Sequence, residues 1–211
     1  SKTLVDKLKA LSDPRLAVYA QLPTDESVTT YVGAANGLSN SEANNQGFAK
    51  TSKPGTYFLT SESPAVILSY AEVQFSLAEA VARGFISGNA DTYYKEGIAA
   101  SLKQFGVTDA TVIATYLSQP AVLYNAANYK ESIGIQKWIA FYGQGLDAFA
   151  EWRRLDYPQL TAGVSTVLDG EMPSRFFYPG TEQSLNGINY QLAVSSQGPD
   201  LLTTRLWSDV N

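Results

Sequence analysis

Residues 69–84 read SYAEVQFSLAEAVARG, and this stretch decides the fold of the chain. Its apolar residues recur at the spacing that places them on one face of an α-helix. Ser63 and Pro64 lie just upstream, and a serine N-cap followed by proline is a favoured helix start. Gly84 is a typical residue beyond a helix end. The pattern predicts a helix from about Pro64 to Gly84, with an apolar face of Ile67, Tyr70, Ala71, Phe75, Ala78 and Ala82.

A second helix is predicted directly after the first. Asn89 or Asp91 can cap its start, and Gly106 can close it. Small residues on both helices would allow their axes to approach closely. These residues are Ala71, Ala78, Gly97 and Ala100. The sequence therefore predicts a helical hairpin over about residues 64–106.

Shorter helices and long loops surround the predicted hairpin. Helical spacing continues over about residues 109–118 and 126–155, with an interruption near Gly143. Residues 21–62 and 158–211 show no sustained period and are rich in turn-forming residues, so we predict irregular loops there. The fold class is all-α, built of tetratricopeptide-like helix pairs, and residues 1–211 form a single domain. Because one helix pair cannot bury its own apolar faces, we expect further pairs in sequence outside this chain.

Composition excludes several kinds of chemistry. The chain has no histidine and no cysteine, which removes histidine-based nucleophile systems, thiolate or imidazole zinc sites and disulfides. The net charge of -5 argues against nucleic acid, whose binding needs clustered lysine and arginine. No apolar run is long enough to cross a bilayer. Carboxylate pairs, lysine, tyrosine or an oxygen-ligated metal remain as catalytic options, and no cofactor is expected.

The order of several short motifs resembles the SusD/RagB-like family. The helix signature quoted above is followed by Tyr93-Tyr94-Lys95-Glu96-Gly97-Ile98-Ala99-Ala100-Ser101 and by Gln136-Lys137-Trp138. Further along lie Glu151-Trp152-Arg153-Arg154 before Tyr157-Pro158, Pro173-Ser174-Arg175 with Tyr178-Pro179, and Arg205-Leu206-Trp207. Upstream, Asp13-Pro14-Arg15 also matches. None of these pieces is specific alone, but their order extends over nearly the whole chain.

The resemblance implies the C-terminal half of a surface lipoprotein that binds glycans. Such a protein caps a SusC-like TonB-dependent porin and captures oligosaccharides or polysaccharides for nutrient uptake. It is held at the outer membrane by a lipid anchor on the N-terminal half, which also carries most of the helix pairs. We therefore expect a glycan ligand, a porin partner, no enzymatic activity and a location on the cell surface.

The long loop over residues 21–62 contains the candidate glycan-binding residues. Sugar rings present an apolar face to aromatic side chains, and their hydroxyls pair with amides and charged groups. The loop offers that mixture on the kind of element that often carries binding residues. Its asparagines could also serve only as turn formers. The candidates are Tyr31, Asn36, Asn40, Asn44, Asn45 and Tyr57, with Phe48 in the same loop.

Two further functions remain open at the level of sequence. Glu72 and Glu79 could be taken for the carboxylate pair of a carbohydrate-active hydrolase, but such pairs usually come from different elements, and ion-paired helix carboxylates are the favoured interpretation. A structural helical adaptor is the third hypothesis.

Trp138 and Trp152 are expected to pack in the interior. Arg154 is expected to pair with Glu151 on a helix surface, in preference to gripping an anionic sugar.

Overall fold

The computed structural model describes residues 1–164 and 168–209, and helices dominate that part of the chain. An isolated antiparallel bridge joins Ala20 to Pro54. Single 3-10 turns occur at Phe48–Lys50, Thr56–Phe58 and Ala126–Asn128. The α-helices are α1 Lys2–Ala10, α2 Leu16–Tyr19, α3 Asn40–Gln46, α4 Tyr70–Ala82, α5 Ala90–Gln104, α6 Ala110–Leu117, α7 Tyr129–Ala140, α8 Gly145–Leu155, α9 Gly180–Leu185 and α10 Gly187–Gln197.

Helices α4 and α5 form the predicted hairpin at the centre of the molecule. Phe75 on α4 is fully buried, and its ring lies directly against Gly97 of α5. A Cβ atom added at Gly97 would approach that ring to 2.9 Å, which is closer than side-chain atoms tolerate. The absent side chain therefore allows the close helix approach that the sequence predicts. Ala71, Ala78, Ile98 and Leu102 complete the buried faces of the pair.

A buried ion pair joins the first segment of the chain to three of the central helices. Arg15 and Asp13 follow α1, and both side chains are fully buried. Arg15 Nη2 donates to Asp13 at 2.6 Å and to Gln136 of α7 at 2.8 Å, while Nη1 donates to Ser101 of α5 at 2.9 Å. The Tyr116 hydroxyl of α6 donates to Asp13. The buried charges are thus paired and hydrogen-bonded, as burial requires.

Charged side chains hold α8 against the hairpin. Arg154 of α8 forms two hydrogen bonds to the Glu79 carboxylate of α4, one of them at 2.6 Å. Arg154 also donates to Glu151 at 2.6 Å, which confirms the predicted pair on this helix. Lys137 of α7, itself buried, lies 3.1 Å from Glu151. The network therefore links α4, α7 and α8.

The predicted start of the hairpin is wrong by several residues. Helix α4 begins at Tyr70, and the Ser69 hydroxyl accepts the hydrogen bond of the Glu72 N–H at 3.0 Å. The Ser63 hydroxyl instead donates to the Tyr57 carbonyl, so it closes a turn in place of capping a helix. Ile67, placed by the sequence on the apolar helix face, is 94% exposed. The hairpin accordingly covers residues 70–104.

The two segments predicted to be irregular loops contain helices. Residues 21–62 include α3 and two 3-10 turns, and residues 158–211 include α9 and α10. The shorter helices near residues 109–118 and 126–155 are confirmed as α6, α7 and α8, with a break at Gly143.

Trp138 and Trp152 are half-buried, and the Trp152 indole N–H donates to the Pro158 carbonyl at 3.1 Å. No helix among the residues described reaches the length and apolarity of a membrane span.

Candidate functional site

Helix α3 presents a row of asparagine amides to the solvent. Ser39 caps the helix, because its hydroxyl accepts from the Glu42 N–H while the Glu42 carboxylate accepts from the Ser39 N–H at 2.8 Å. Asn40, Asn44 and Asn45 lie on this helix and are exposed. Within residues 1–164 and 168–209, their side-chain amides make no hydrogen bond to protein. These groups are therefore available to a ligand.

An exposed aromatic ring follows the asparagine row. Phe48 opens the 3-10 turn directly after α3 and is 73% exposed. Asn40 and Asn44 are four residues apart and share one face of α3, whereas Phe48 lies beyond Gly47, whose φ of +79° ends the helix. The region therefore combines an apolar flat surface with hydrogen-bonding amides.

A short segment over residues 33–38, which we call the wall, stands beside α3. The Gln46 side chain of α3 holds it by two hydrogen bonds, since Nε2 donates to the Gly33 carbonyl at 3.2 Å and Oε1 accepts from the Ala35 N–H at 3.2 Å. An amide is suited to this position because it both donates and accepts. Gln46 thus fixes the wall relative to the asparagine row.

The opposite face of the wall is held by residues from two distant segments. The Lys2 N–H donates to the Ala34 carbonyl at 2.6 Å, and the Asn36 amide donates to the Thr3 hydroxyl at 2.8 Å. The Val164 N–H donates to the Asn36 carbonyl at 3.1 Å. Gly37 adopts a φ of +73°. A Cβ atom added at this position would lie 2.9 Å from the backbone of residue 163. The wall is therefore fixed on both sides and leaves no room for a side chain at position 37.

Two clefts lie on either side of the wall. The first, cleft A, has a volume of about 250 Å³ and lies between the wall and the segment from Ala43 to Thr51, with Phe48 at its edge. The second, cleft B, has a volume of about 290 Å³ and lies between the wall, the start of α1 and residues 161–164. Ala35 borders both clefts. The clefts are therefore adjacent and are separated by one backbone segment, which turns at Asn36 and Gly37.

The six predicted site residues divide into two groups. Asn36 lies on the wall and lines cleft B, and Asn40, Asn44 and Asn45 lie on α3, the helix that borders cleft A through Ala43 and Gln46. Tyr57 belongs instead to an aromatic cluster, where its ring lies 5.0 Å from the Phe58 ring and 5.3 Å from the Phe105 ring.

Tyr31 is also half-buried and packs against the core, and its carbonyl accepts a hydrogen bond from Lys9. The structure therefore places the asparagines on α3 and the wall, whereas the two tyrosines pack against the core.

Sequence reasoning missed Gln46 and the α1 residues Thr3 and Asp6. The sequence Ser39-Asn40-Ser41-Glu42 has the form of a capping box and was the available signal for α3.

The carboxylates considered for a hydrolase are arranged as structural groups. Burial by itself would raise the pKa of Glu79, but the hydrogen bonds and positive charge of Arg154 outweigh it and the pKa is lowered. A glycosidase general acid needs the opposite shift, so that it can hold its proton near neutral pH. Glu72 occupies the first turn of α4, where an acidic side chain favours the helix dipole. No cluster suited to a metal ion occurs among the residues that the structure covers.

The fold defines the class, that of all-helical proteins built around a helical hairpin, and the clefts beside α3 are bordered by the amides of Asn36 and Gln46 and by the ring of Phe48. A family profile described as starch-binding and associating with the outer membrane matches residues 1–179. The chain belongs to this SusD-like family, as its motif order indicates.

Solved structures agree with the family assignment. A chitin-binding protein is 32% identical with a TM-score of 0.87, and the match covers 100% of this chain and 50% of that one. A SusD homologue from Bacteroides fragilis NCTC 9343 is 29% identical with a TM-score of 0.82, over 99% of this chain and 51% of the other.

A chitin-binding SusD homologue from Flavobacterium johnsoniae is 27% identical with a TM-score of 0.83, over 100% of this chain and 49% of the other. The chain thus spans about half of the length of these relatives. A search of curated sequences finds no significant match.

Proposed function

We propose that the chain is the C-terminal half of an outer-membrane lipoprotein that binds a glycan without cleaving it and delivers it to a SusC-like TonB-dependent porin. The single observation that carries the binding role is the exposed row of Asn40 and Asn44 leading to Phe48. The family membership supports a glycan as the ligand and the outer membrane as the location. Delivery to the porin and attachment through a lipid on the other half follow from the family resemblance.

The chemistry of the row suits a neutral sugar chain. The Phe48 ring offers a flat apolar surface, and the asparagine amides both donate and accept hydrogen bonds to hydroxyl or acetamido groups. The net charge of -5 would disfavour strongly anionic glycans by repulsion. Two relatives are named chitin-binding and the family is described as starch-binding. Chitin and starch are therefore the first ligands to test.

The arrangement supports binding in preference to hydrolysis. Glycosidases usually place two carboxylates on either side of the scissile bond. Among the described residues, Asp6 is the one carboxylate that lines cleft A or cleft B, and Glu42 is engaged in capping α3. A purely structural adaptor would not need the exposed amides of α3, which have no protein partner within the described residues. Capture of glycan is the function that these features favour.

Affinity electrophoresis of the full-length protein would test the proposal. Gels containing glycol chitin or soluble starch should retard the protein, while a parallel assay should detect no release of reducing sugar. The Phe48→Ala variant should lose most of the retardation, because stacking on the ring would be gone. Phe85→Ala is a matched control, since Phe85 is 69% exposed but borders neither cleft.

The outcomes separate the three hypotheses. Retardation that Phe48→Ala abolishes and Phe85→Ala preserves would support glycan capture at this site. Release of reducing sugar would favour the hydrolase and direct attention back to the carboxylates. Migration unchanged by any polysaccharide would favour the structural adaptor.

A further inference from the structure

Cleft B has a different character from cleft A. Side chains of Lys2, Thr3 and Asp6 from α1 line one side of it, and Asn36 and Thr161 line the other. Lys2 and Asp6 form an ion pair, and their side chains remain 60% and 52% exposed. Among the residues that the structure describes, no aromatic ring borders this cleft. It therefore offers charged and neutral hydrogen-bonding groups without a stacking surface.

The volumes indicate that neither cleft is a complete ligand site. Ligand pockets usually begin at about 300 Å³ and extend to about 1,000 Å³. Clefts A and B, at about 250 Å³ and 290 Å³, each fall below that range, whereas their combined volume lies within it. Because the wall between them is a single backbone segment, one elongated ligand could enter both.

We infer that cleft B is a second subsite for the same glycan, so that an extended sugar chain crosses the wall from Phe48 in cleft A to the polar groups of cleft B. This inference rests on the proposed function. One unit of the chain stacks on Phe48, and units further along present hydroxyls to Asp6 and Thr161. The ligand class is therefore a neutral oligosaccharide longer than the part that cleft A alone accommodates.

The attachments of the wall prepare both subsites before the ligand arrives. Gln46 holds the wall from cleft A, and Thr3 and the Val164 N–H hold Asn36 from cleft B. A rigid partition between two subsites loses little conformational freedom on binding, so contacts in cleft B add to affinity. Affinity should then rise with chain length until the ligand reaches cleft B, and level off beyond it.

Calorimetric titration of the full-length protein with chitin and starch oligosaccharides, from disaccharide to octasaccharide, would test this inference. Asp6→Ala should weaken binding of long oligosaccharides roughly tenfold, the effect expected for one hydrogen bond to a charged group. The same variant should leave the short oligosaccharides unaffected. Asp91→Ala is a matched control, because Asp91 forms a similar exposed ion pair with Lys95, outside both clefts. Phe48→Ala should weaken binding at every length.

Several results would overturn the second subsite. Affinity that does not depend on chain length would do so, as would an Asp6→Ala effect that is equal for short and long ligands or is matched by Asp91→Ala. Thr161→Ala provides an independent variant in the same cleft if Asp6→Ala folds poorly. Absence of binding at any length would instead reject the proposed function, and the subsite with it.

Discussion

At the scale of single residues, the buried pair of Asp13 and Arg15 contributes most clearly to the fold. Proline disfavours helix in the residue before it, so the order Asp13-Pro14-Arg15 is a local signal for the end of a helix. The structure shows in addition that both charges are fully buried and bonded to α5, α6 and α7. Local propensity could predict the stop, but the partners lie about a hundred positions away and only the fold brings them together.

Replacing Arg15 should destabilise the protein strongly. Arg15→Met would leave the Asp13 carboxylate buried without its counter-ion, which costs about 3–5 kcal/mol of unfolding free energy. Urea denaturation followed by circular dichroism would measure the loss. Arg83→Met is the comparison variant, because Arg83 is 47% exposed and its pair with Glu79 should contribute about 1 kcal/mol or less. Equal effects of the two substitutions would contradict the assigned importance of the buried pair.

Three buried tyrosines should make the protein sensitive to alkaline pH. Burial raises the pKa of Tyr19, Tyr94 and Tyr116 above the ordinary value for tyrosine. Since the folded pKa exceeds the unfolded value of about 10, this contribution to stability is fully present below pH 10 and is lost as pH rises above it. Urea unfolding curves between about pH 8 and about pH 11 should show the decline. Tyr94→Phe should reduce its slope, and an unchanged slope would count against the role of Tyr94.

At the scale of elements, helix caps explain both the successes and the errors of the sequence prediction. Ser39 and Ser69 each stand three residues before a glutamate and cap α3 and α4. Sequence reasoning chose Ser63-Pro64 for α4 because proline favours the first helical turn, and it missed α3 because no apolar period marks that helix. Amphipathic α5, α6 and α7 were predicted, since their buried faces leave a periodic pattern.

Loss of the Ser39 cap should loosen α3 without unfolding the protein. An N-cap serine contributes about 1 kcal/mol, and α3 is a short surface helix with no buried residue. Ser39→Ala should therefore accelerate amide hydrogen exchange in α3 roughly fivefold, since about 1 kcal/mol corresponds to that factor. Glycan affinity should fall in parallel, because the asparagine row rests on this helix.

Ser41→Ala serves as the control for that experiment. Ser41 lies on the same helix and is exposed; its hydroxyl is hydrogen-bonded to the Ser39 hydroxyl at 3.2 Å, but within the described residues it accepts no bond from a backbone N–H of the helix start. Its exchange rates should stay close to those of the unmodified protein. Equal acceleration in both variants would show that the cap is not the group that orders α3.

At the scale of the whole molecule, several large apolar side chains remain open to solvent. Ile67, Leu68 and Tyr70, just before and at the start of α4, are 94%, 65% and 63% exposed, and we call them the pre-hairpin patch. On α10, Ile188 and Leu192 are 82% and 62% exposed. Exposed apolar side chains that cluster on a surface often mark a contact with other protein. That the helix pair needs neighbours outside this chain stays a prediction.

The isolated chain should therefore associate in solution. Sedimentation velocity at increasing concentration should show species larger than a monomer, and the double substitution Ile67→Ser and Leu68→Ser should reduce them. Ile188→Ser tests the alternative surface on α10. If Ile188→Ser alone disperses the species, the pre-hairpin patch is not the contact. A monomer that melts cooperatively above about 65 °C, beyond the usual range for mesophile domains, would contradict the expectation altogether.

The binding region shows where prediction from sequence ends. The residue types Asn36, Asn40, Asn44 and Asn45 could be chosen because amides in a long segment suggest hydrogen bonding to a ligand. The position of Asn36 beside α3 depends on contacts that no local pattern encodes, such as Lys2 with Ala34 and residue 163 with Gly37. Tyr57 was indistinguishable from a binding residue by type, and only its packing against Phe58 and Phe105 assigns it to the interior.

The manner in which the wall is attached has a consequence for the evolution and engineering of ligand preference. Gln46 and Lys2 form hydrogen bonds to main-chain atoms of residues 33–35. Apart from the glycine at position 33, these hydrogen bonds therefore do not depend on which side chains the positions carry. Ala34, Ala35 and Leu38 border cleft A and can be exchanged without removing a bond that holds the wall. Libraries randomised at these positions should yield altered ligand preference with the fold retained, so that recognition can diversify separately from stability.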